Sequence, residues 1–254
     1  LAQCARWAQE WHYDEVNLNC GCPSDRVQSG MFGACLMAQP ELVADGVKAM
    51  RDATLLPVTV KHRIGIDDMD SYQQMLDFVG PVADAGCEVF IVHARKAWLK
   101  GLSPKENREI PPLVYDWVYR LKRDLPDLEI VINGGIQTIE DCEDHLAHVD
   151  GVMIGREAYQ NPWMLAEVDS RLFGIDKVAE SRDDVLLGLL PYVEQQLALG
   201  THLNHITRHI LGLYQGVPGA RKFRRHLSEN AYKKDAGLNV LIDAFEKVRQ
   251  ATPA

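Results

Sequence analysis

Five short runs rich in apolar and β-branched residues alternate with segments of helical period, and this alternation limits the folds open to residues 1–174. The strand candidates are Glu15–Asn19, Val58–Arg63, Glu88–His93, Leu128–Asn133 and Gly151–Gly155. The helix candidates are Leu1–Trp11, Leu42–Ala53, Ser71–Ala85, Tyr115–Leu125 and Thr138–Val149, with Asn161–Phe173 after the last strand. Ile130-Val131-Ile132 and Val152-Met153-Ile154 are continuous apolar runs, as expected of strands covered on both faces. Alternation at this spacing reads as βαβ units on a parallel sheet. Polar residues gather where the strands end, at 19–22, 61–63, 93, 133–135 and 155–156, the edge where parallel α/β folds bind ligands. No G-x-G-x-x-G follows a strand, which disfavours a Rossmann fold. The expected fold is a (β/α)8 TIM barrel. Five strands are read where eight are needed, and the chain opens on Leu1, so about the first three βα units are expected to be missing.

From Ile175 the pattern changes. A mostly polar stretch to Asp184 leads into four segments of helical period: Val185–Leu199, His202–Gln215, Ala220–Lys234 and Leu238–Gln250. These predict a small C-terminal helical bundle, so the organisation expected is 1–174 and 175–254. The net charge is −9, but it is unevenly spread. Residues 201–254 carry nine Lys/Arg against four Asp/Glu, a balance of +5, and four histidines, whereas the first 200 residues carry −14. Such asymmetry fits a polyanionic partner for the tail, or else a solvated helix face. No run of about 18 apolar residues predicts a membrane span. Arg6 and Glu10 interrupt the N-terminal stretch, which does not read as a signal peptide. Six scattered cysteines suit a reducing, cytoplasmic setting, and Cys20-x-Cys22 lacks the second pair a zinc site needs, so no metal is expected.

The chemistry concentrates in Asn17-Leu-Asn-Cys-Gly-Cys-Pro-Ser-Asp-Arg-Val27, followed by Gly30 and Gly33-Ala34-Cys35. This segment leaves a strand, turns at Gly21 and Pro23, and offers a thiol at the ligand-bearing edge. A thiol is mostly protonated at neutral pH, which suits a general acid; a nucleophile needs a base or cation beside it. Cys4, Cys87 and Cys142 read instead as small buried hydrophobes. Lys61 and His93 sit near the ends of successive inward-facing strands. A lysine inside a barrel needs an anion: a reduced flavin, or a strand-end carboxylate. His93 reads as a ligand or as a satisfied core histidine. Asn133-Gly134-Gly135 and Gly155-Arg156 end the last two strands, where glycines let a phosphate approach backbone N–H groups and arginine adds a bidentate charge.

Taken together, Asn19-Cys-Gly-Cys-Pro23, Lys61-His-Arg63, Val92-His-Ala-Arg95, Ile132-Asn-Gly-Gly135 and Ile154-Gly-Arg156 resemble the tRNA-dihydrouridine synthases. The segments His93–Pro112 and Gly219–His226 resemble that family's A subfamily. The resemblance implies flavin-dependent reduction of the C5–C6 double bond of D-loop uridines, 20/20a in position, with FMN as cofactor and NADPH as reductant. It implies Cys22 as the acid that protonates C5, with Lys61, His93, Asn133, Gly134, Gly135, Gly155 and Arg156 around FMN. Asn19, Lys105, Arg108, Arg221 and Arg224 would meet the tRNA. A pyrimidine in folded tRNA must leave its stack to reach such a site. Arg221 and Arg224 stand i, i+3 on one helix and share a side. Two alternatives remain at this level. One is an FMN barrel reductase of the dihydroorotate dehydrogenase type, acting on a free pyrimidine, which leaves the basic tail unexplained. The other is a tRNA-binding module without catalysis.

Overall fold

The computed structural model describes residues 1–24, 29–176 and 181–251. Asp25, Arg26 and Val27 of the cysteine motif, and Lys177–Glu180 of the polar stretch, lie outside the described residues. All five expected strands form: β1 Val16–Cys20, β2 Val58–Arg63, β3 Val89–His93, β4 Glu129–Asn133 and β5 Gly151–Met153. They pair in parallel, in sequence order, as one sheet. Between them run α1 Ala2–Glu10 (before β1), α2 Pro40–Arg51, α3 Tyr72–Asp84, α4 Tyr115–Asp124 and α5 Ile139–Leu146.

Register explains how the sheet divides its residues between two faces. Val60, Phe90 and Ile130 form one row across β2–β4, and His62, Val92 and Ile132 the next. Their side chains share a face because strand side chains alternate with period two. All six are fully buried. His62 sits against Phe78 of α3 and Phe90, and burial, only partly offset by its bond to Arg63 O, holds it down to about 4. The opposite face carries Asn17, Asn19, Thr59, Lys61, Arg63, His93 and Asn133, so the sheet is polar on the side where its ends converge.

Local signals set the helix starts. Pro40 opens α2 at a position where a missing N–H costs nothing. At α3, Ser71 Oγ accepts from Gln74 N at 3.3 Å while Gln74 Oε1 accepts from Ser71 N at 3.1 Å, a complete capping box.

The chain divides into two compact units: Leu1–Ile136 with Glu140–Ile154, and Gln137–Ile139 with Gly155–Ala254. Residues 155–174, which the sequence groups with the strands, thus fall in the second unit. There the expected helix Asn161–Phe173 is broken. It becomes a 3-10 turn Pro162–Glu167 and a short helix α7 Val168–Leu172, preceded by α6 Arg156–Gln160. Pro162 cannot donate a backbone hydrogen bond, and it disfavours helical backbone at Asn161, whose ψ is 66°. The second unit continues with α8 Arg182–Ala198, α9 Leu203–Thr207, α10 Ala220–Asn230 and α11 Leu238–Arg249. The expected helix His202–Gln215 is only the five residues of α9, after which the chain turns. Gly212 packs on the backbone of Gln160, where a Cβ would come within 2.1 Å of the Gln160 oxygen, so the segment closes onto a neighbour instead of extending. Leu186, Val193, Leu203, Tyr214, Phe223, Leu227, Leu241 and Phe245 form the core of this unit. No helix among the described residues is long and apolar enough to cross a membrane.

Ser71→Ala is expected to lower the stability of the first unit by about 1 kcal/mol, read as a shift in the urea midpoint at constant slope. An unchanged midpoint would show that the capping box carries no net stability.

Candidate active site

The thiol-bearing turn is anchored on both sides. Leaving β1, Asn19 Oδ1 accepts from Gly21 N at 2.9 Å, an Asx-type bond that starts the turn. The carbonyl of Cys22 accepts from Ala34 N at 2.9 Å, tying the turn to the 3-10 helix Gly33–Ala38. Cys22 itself is half-buried, with Sγ 3.6 Å from Ser24 Oγ. Cys20 faces the other way, fully buried, and desolvation, with smaller effects from Cys87 and Cys35, pushes its thiol up to about 12. Of the two thiols in this motif, only Cys22 stands at the polar edge. Cys87 and Cys142 are buried, as expected of small hydrophobes. Cys4 is not: it lies exposed on α1, which buries Ala5 alone.

Arg63 and Asn107, absent from the expected site set, hold this edge together. Arg63 is buried at the end of β2 and donates to three backbone carbonyls: Gly21 O at 3.0 Å, Lys96 O at 3.2 Å and Asn107 O at 2.8 Å. Burial first, then the nearby guanidiniums of Arg108 and Arg95, push it down to about 10, with Cys22 acting in the opposite sense. It therefore stays charged at neutral pH. Asn107 is fully buried. Its Oδ1 accepts from Trp98 N at 2.7 Å, and its Nδ2 donates to Trp98 O at 2.9 Å and Leu102 O at 3.2 Å. That pins the loop carrying Lys105 and Arg108, which are both exposed. A polar residue at a strand end signals Arg63 in the sequence; nothing local marks Asn107, since its partners are backbone groups brought in by the loop.

Lys61 stands one row deeper on the same face. Its Nζ donates to Asn133 Oδ1 at 3.1 Å, and Asn133 Nδ2 donates to Met153 O at 2.7 Å. Among the described residues no carboxylate pairs with Lys61, so the expected alternative of a strand-end ion pair is not what the structure shows. Burial, and secondarily Arg63, lower its pKa to about 8. A half-buried ammonium held by one neutral amide favours an anion as its missing partner.

His93 ends β3 and lies over Gly134. A Cβ at Gly134 would sit 2.6 Å from His93 Cδ2, and its φ of +112° is one that side chains rarely adopt. Gly135 follows at φ +77°, and Tyr115 donates from its hydroxyl to Gly134 O at 2.8 Å. The Gly-Gly turn is thus fixed by ring and hydroxyl contacts as well as by backbone freedom. Asn19, Cys22, Lys61, His93, Asn133, Gly134 and Gly135 all lie in the first unit. Gly155 and Arg156 lie in the second, where Gly155 precedes α6 and a Cβ on it would meet nothing within 4 Å. Arg221 and Arg224 lie on α10, the first exposed and the second half-buried beside Gln215.

These features define a class: a parallel α/β protein whose strand ends present a thiol beside an unneutralised cation. The profile described as "Dihydrouridine synthase (Dus)" matches residues 1–249, and the chain belongs to this family. It is 59% identical over 249 residues to the tRNA-dihydrouridine(20/20a) synthase of Vibrio cholerae serotype O1, covering 98% of this chain and 76% of that protein. The proteins of the same name from Shewanella oneidensis and Escherichia coli K12 are each 61% identical, with 74% and 72% of their lengths covered and 98% of this chain in both. Among solved structures the likeness is weak: a dihydrodipicolinate synthase from Agrobacterium tumefaciens has a TM-score of 0.43 at 12% identity, over 97% of this chain and 90% of that one.

The donor set fits an anionic flavin, since Lys61 has no anionic partner among the described residues. Lys61→Met is expected to hold or raise the thermal midpoint of flavin-free protein, because a buried charge is removed, while the protein retains less FMN. In the unsubstituted protein, FMN affinity should fall as pH rises through about 8, where Lys61 loses its proton. Full flavin retention by the methionine variant would remove Lys61 from the flavin site.

Proposed function

We propose that this chain reduces the C5–C6 double bond of D-loop uridines in tRNA, of the 20/20a type, to 5,6-dihydrouridine, with Cys22 as proton donor and FMN as cofactor. The activity is that of a tRNA-dihydrouridine synthase, an oxidoreductase of tRNA processing. FMN, once reduced by NADPH, would supply the hydride that goes to C6. The observation that carries the residue assignment is the anchoring of the Cys22 turn to Arg63, on the polar face that also holds the half-buried Lys61, which has no anionic partner among the described residues.

On this reading each residue has a physical task. Cys22 Sγ–H gives its proton to C5, and Arg63 holds the turn that carries the thiol through its bond to Gly21 O. Lys61 offers positive charge to the flavin, with Asn133 holding its Nζ in place. His93, Gly134 and Gly135 shape the adjoining turn. Gly155 and Arg156 belong with the FMN phosphate region by the family's pattern. Asn19, at the mouth of the thiol turn, meets the extruded nucleotide. Lys105 and Arg108 in the first unit, and Arg221 and Arg224 in the second, supply cations for tRNA phosphates. The five strands form part of a (β/α)8 barrel that three further βα units would close, and the tail acts as a helical tRNA-binding domain in a cytoplasmic enzyme. The basic tail favours tRNA over a free pyrimidine as substrate, because a free base needs no polyanion surface.

Cys22→Ala is expected to keep NADPH-driven flavin reduction and to lose uridine reduction by about 10²–10⁴-fold, the usual contribution of a general acid. A mass-spectrometric map of dihydrouridine in treated tRNA reads both extent and position. Full turnover by the alanine variant would overturn the acid role, and dihydrouridine appearing elsewhere would overturn the 20/20a assignment. Arg221→Gln with Arg224→Gln should lower the salt dependence of tRNA binding by about two phosphate contacts. An unchanged slope would take α10 out of the interface.

A further inference from the structure

The second unit contains a cavity of about 390 Å³ that the assignments above touch only through Arg224. Its walls include Glu157 and Tyr159 on α6, Arg208 and His209 after α9, and Arg224 on α10. Arg208 donates through Nε to His209 Nε2 at 3.0 Å. A guanidinium can only donate, so His209 Nε2 accepts and the imidazole proton resides on Nδ1. That Nδ1 lies 2.9 Å from the Tyr159 hydroxyl and donates to it, leaving the hydroxyl proton to point elsewhere. The terminal nitrogens of Arg208 have no protein partner among the described residues, and Arg224 makes only a long 3.4 Å bond to Gln215. Glu157 lines the same cavity without forming an ion pair with either arginine. The terminal nitrogens of Arg208, the Tyr159 hydroxyl proton and the Glu157 carboxylate thus converge on a common space, with His209 alone bridging Arg208 and Tyr159.

We infer that this cavity receives one nucleotide of the tRNA backbone, its phosphate held by Arg208, Arg224 and the Tyr159 hydroxyl and its ribose 2′-hydroxyl donating to Glu157. The inference rests on tRNA being the substrate. Phosphate explains the cations, and the ribose hydroxyl explains the unpaired carboxylate among them, which an anion alone would repel. The size suits one nucleotide-sized ligand. Gly212 is the residue that lets this wall close, since any side chain there would strike the Gln160 backbone.

The test uses the full flavin-loaded enzyme and an unmodified tRNA transcript as probe, with affinity measured across a salt series. Arg208→Gln should weaken binding and reduce the salt slope by about one. Glu157→Ala should weaken binding about tenfold at unchanged slope, although it removes a negative charge. Tyr159→Phe should weaken it less, again at unchanged slope. Tighter binding by Glu157→Ala would overturn the ribose contact, and an unchanged slope in Arg208→Gln would overturn the phosphate contact. Lys48→Gln, on a surface helix where Lys48 pairs with Asp52, loses the same charge; an equal effect there would mean net charge alone, and overturn the site. Flavin content and NADPH oxidation should be unchanged in all four variants. Binding requires no turnover, so an enzyme that forms no dihydrouridine overturns the proposed function and leaves the slopes to decide the cavity.

Discussion

The ammonium of Lys61, half-buried on the polar face of the sheet and met among the described residues only by the side-chain oxygen of Asn133, sets the terms for the rest of the site. A charge in that position costs free energy in proportion to its desolvation, and a neutral amide offsets only part of it. Desolvation, and secondarily Arg63, accordingly lower the Lys61 pKa to about 8. Parallel pairing makes the arrangement possible. It lays Lys61 one row below Arg63, His93 and Asn133 on one face of three adjacent strands, while the other face carries Val60, Phe90 and Ile130 and, as its one buried polar ring in these rows, His62. A shift of one residue in β2 would send Lys61 into the apolar layer and His62 to the mouth.

A second cation, Arg63, does structural work that a first-principles reading assigns to hydrogen bonding. Its three carbonyl acceptors belong to the thiol turn and to the loop after β3. Backbone oxygens are weaker partners than carboxylates, but they leave the guanidinium charge unneutralised beside Cys22. The same group therefore fixes the turn and keeps a positive charge near the thiol. Asn107 completes the link by folding the loop around its own amide, which leaves Lys105 and Arg108 exposed on either side. Anchoring and exposure are thus coupled in one segment.

Much of this was legible in the residues. The strand positions follow from β-branched runs, and their parallel order from the helical segments between them. The Gly-Cys-Pro turn, the Gly-Gly turn and the basic tail each name a chemistry through residue type alone. Less was legible where partners come from far along the chain. The helix expected over His202–Gln215 shrinks to Leu203–Thr207, because Gly212 must lie against the Gln160 backbone, a contact 52 residues away that periodicity cannot report. Cys4, apolar in type, stays exposed because α1 buries so little.

By itself, the sequence determined the α/β class, the parallel strands and the edge where polar residues gather, since all of these depend on spacing and residue type within short windows. Only the tertiary structure decided what Lys61 pairs with, that Arg63 and Asn107 hold the thiol turn, and that Glu157, Tyr159, Arg208 and Arg224 share a cavity. Those relations are distances between residues remote in the chain, and they exist only after desolvation and backbone packing have brought the groups together.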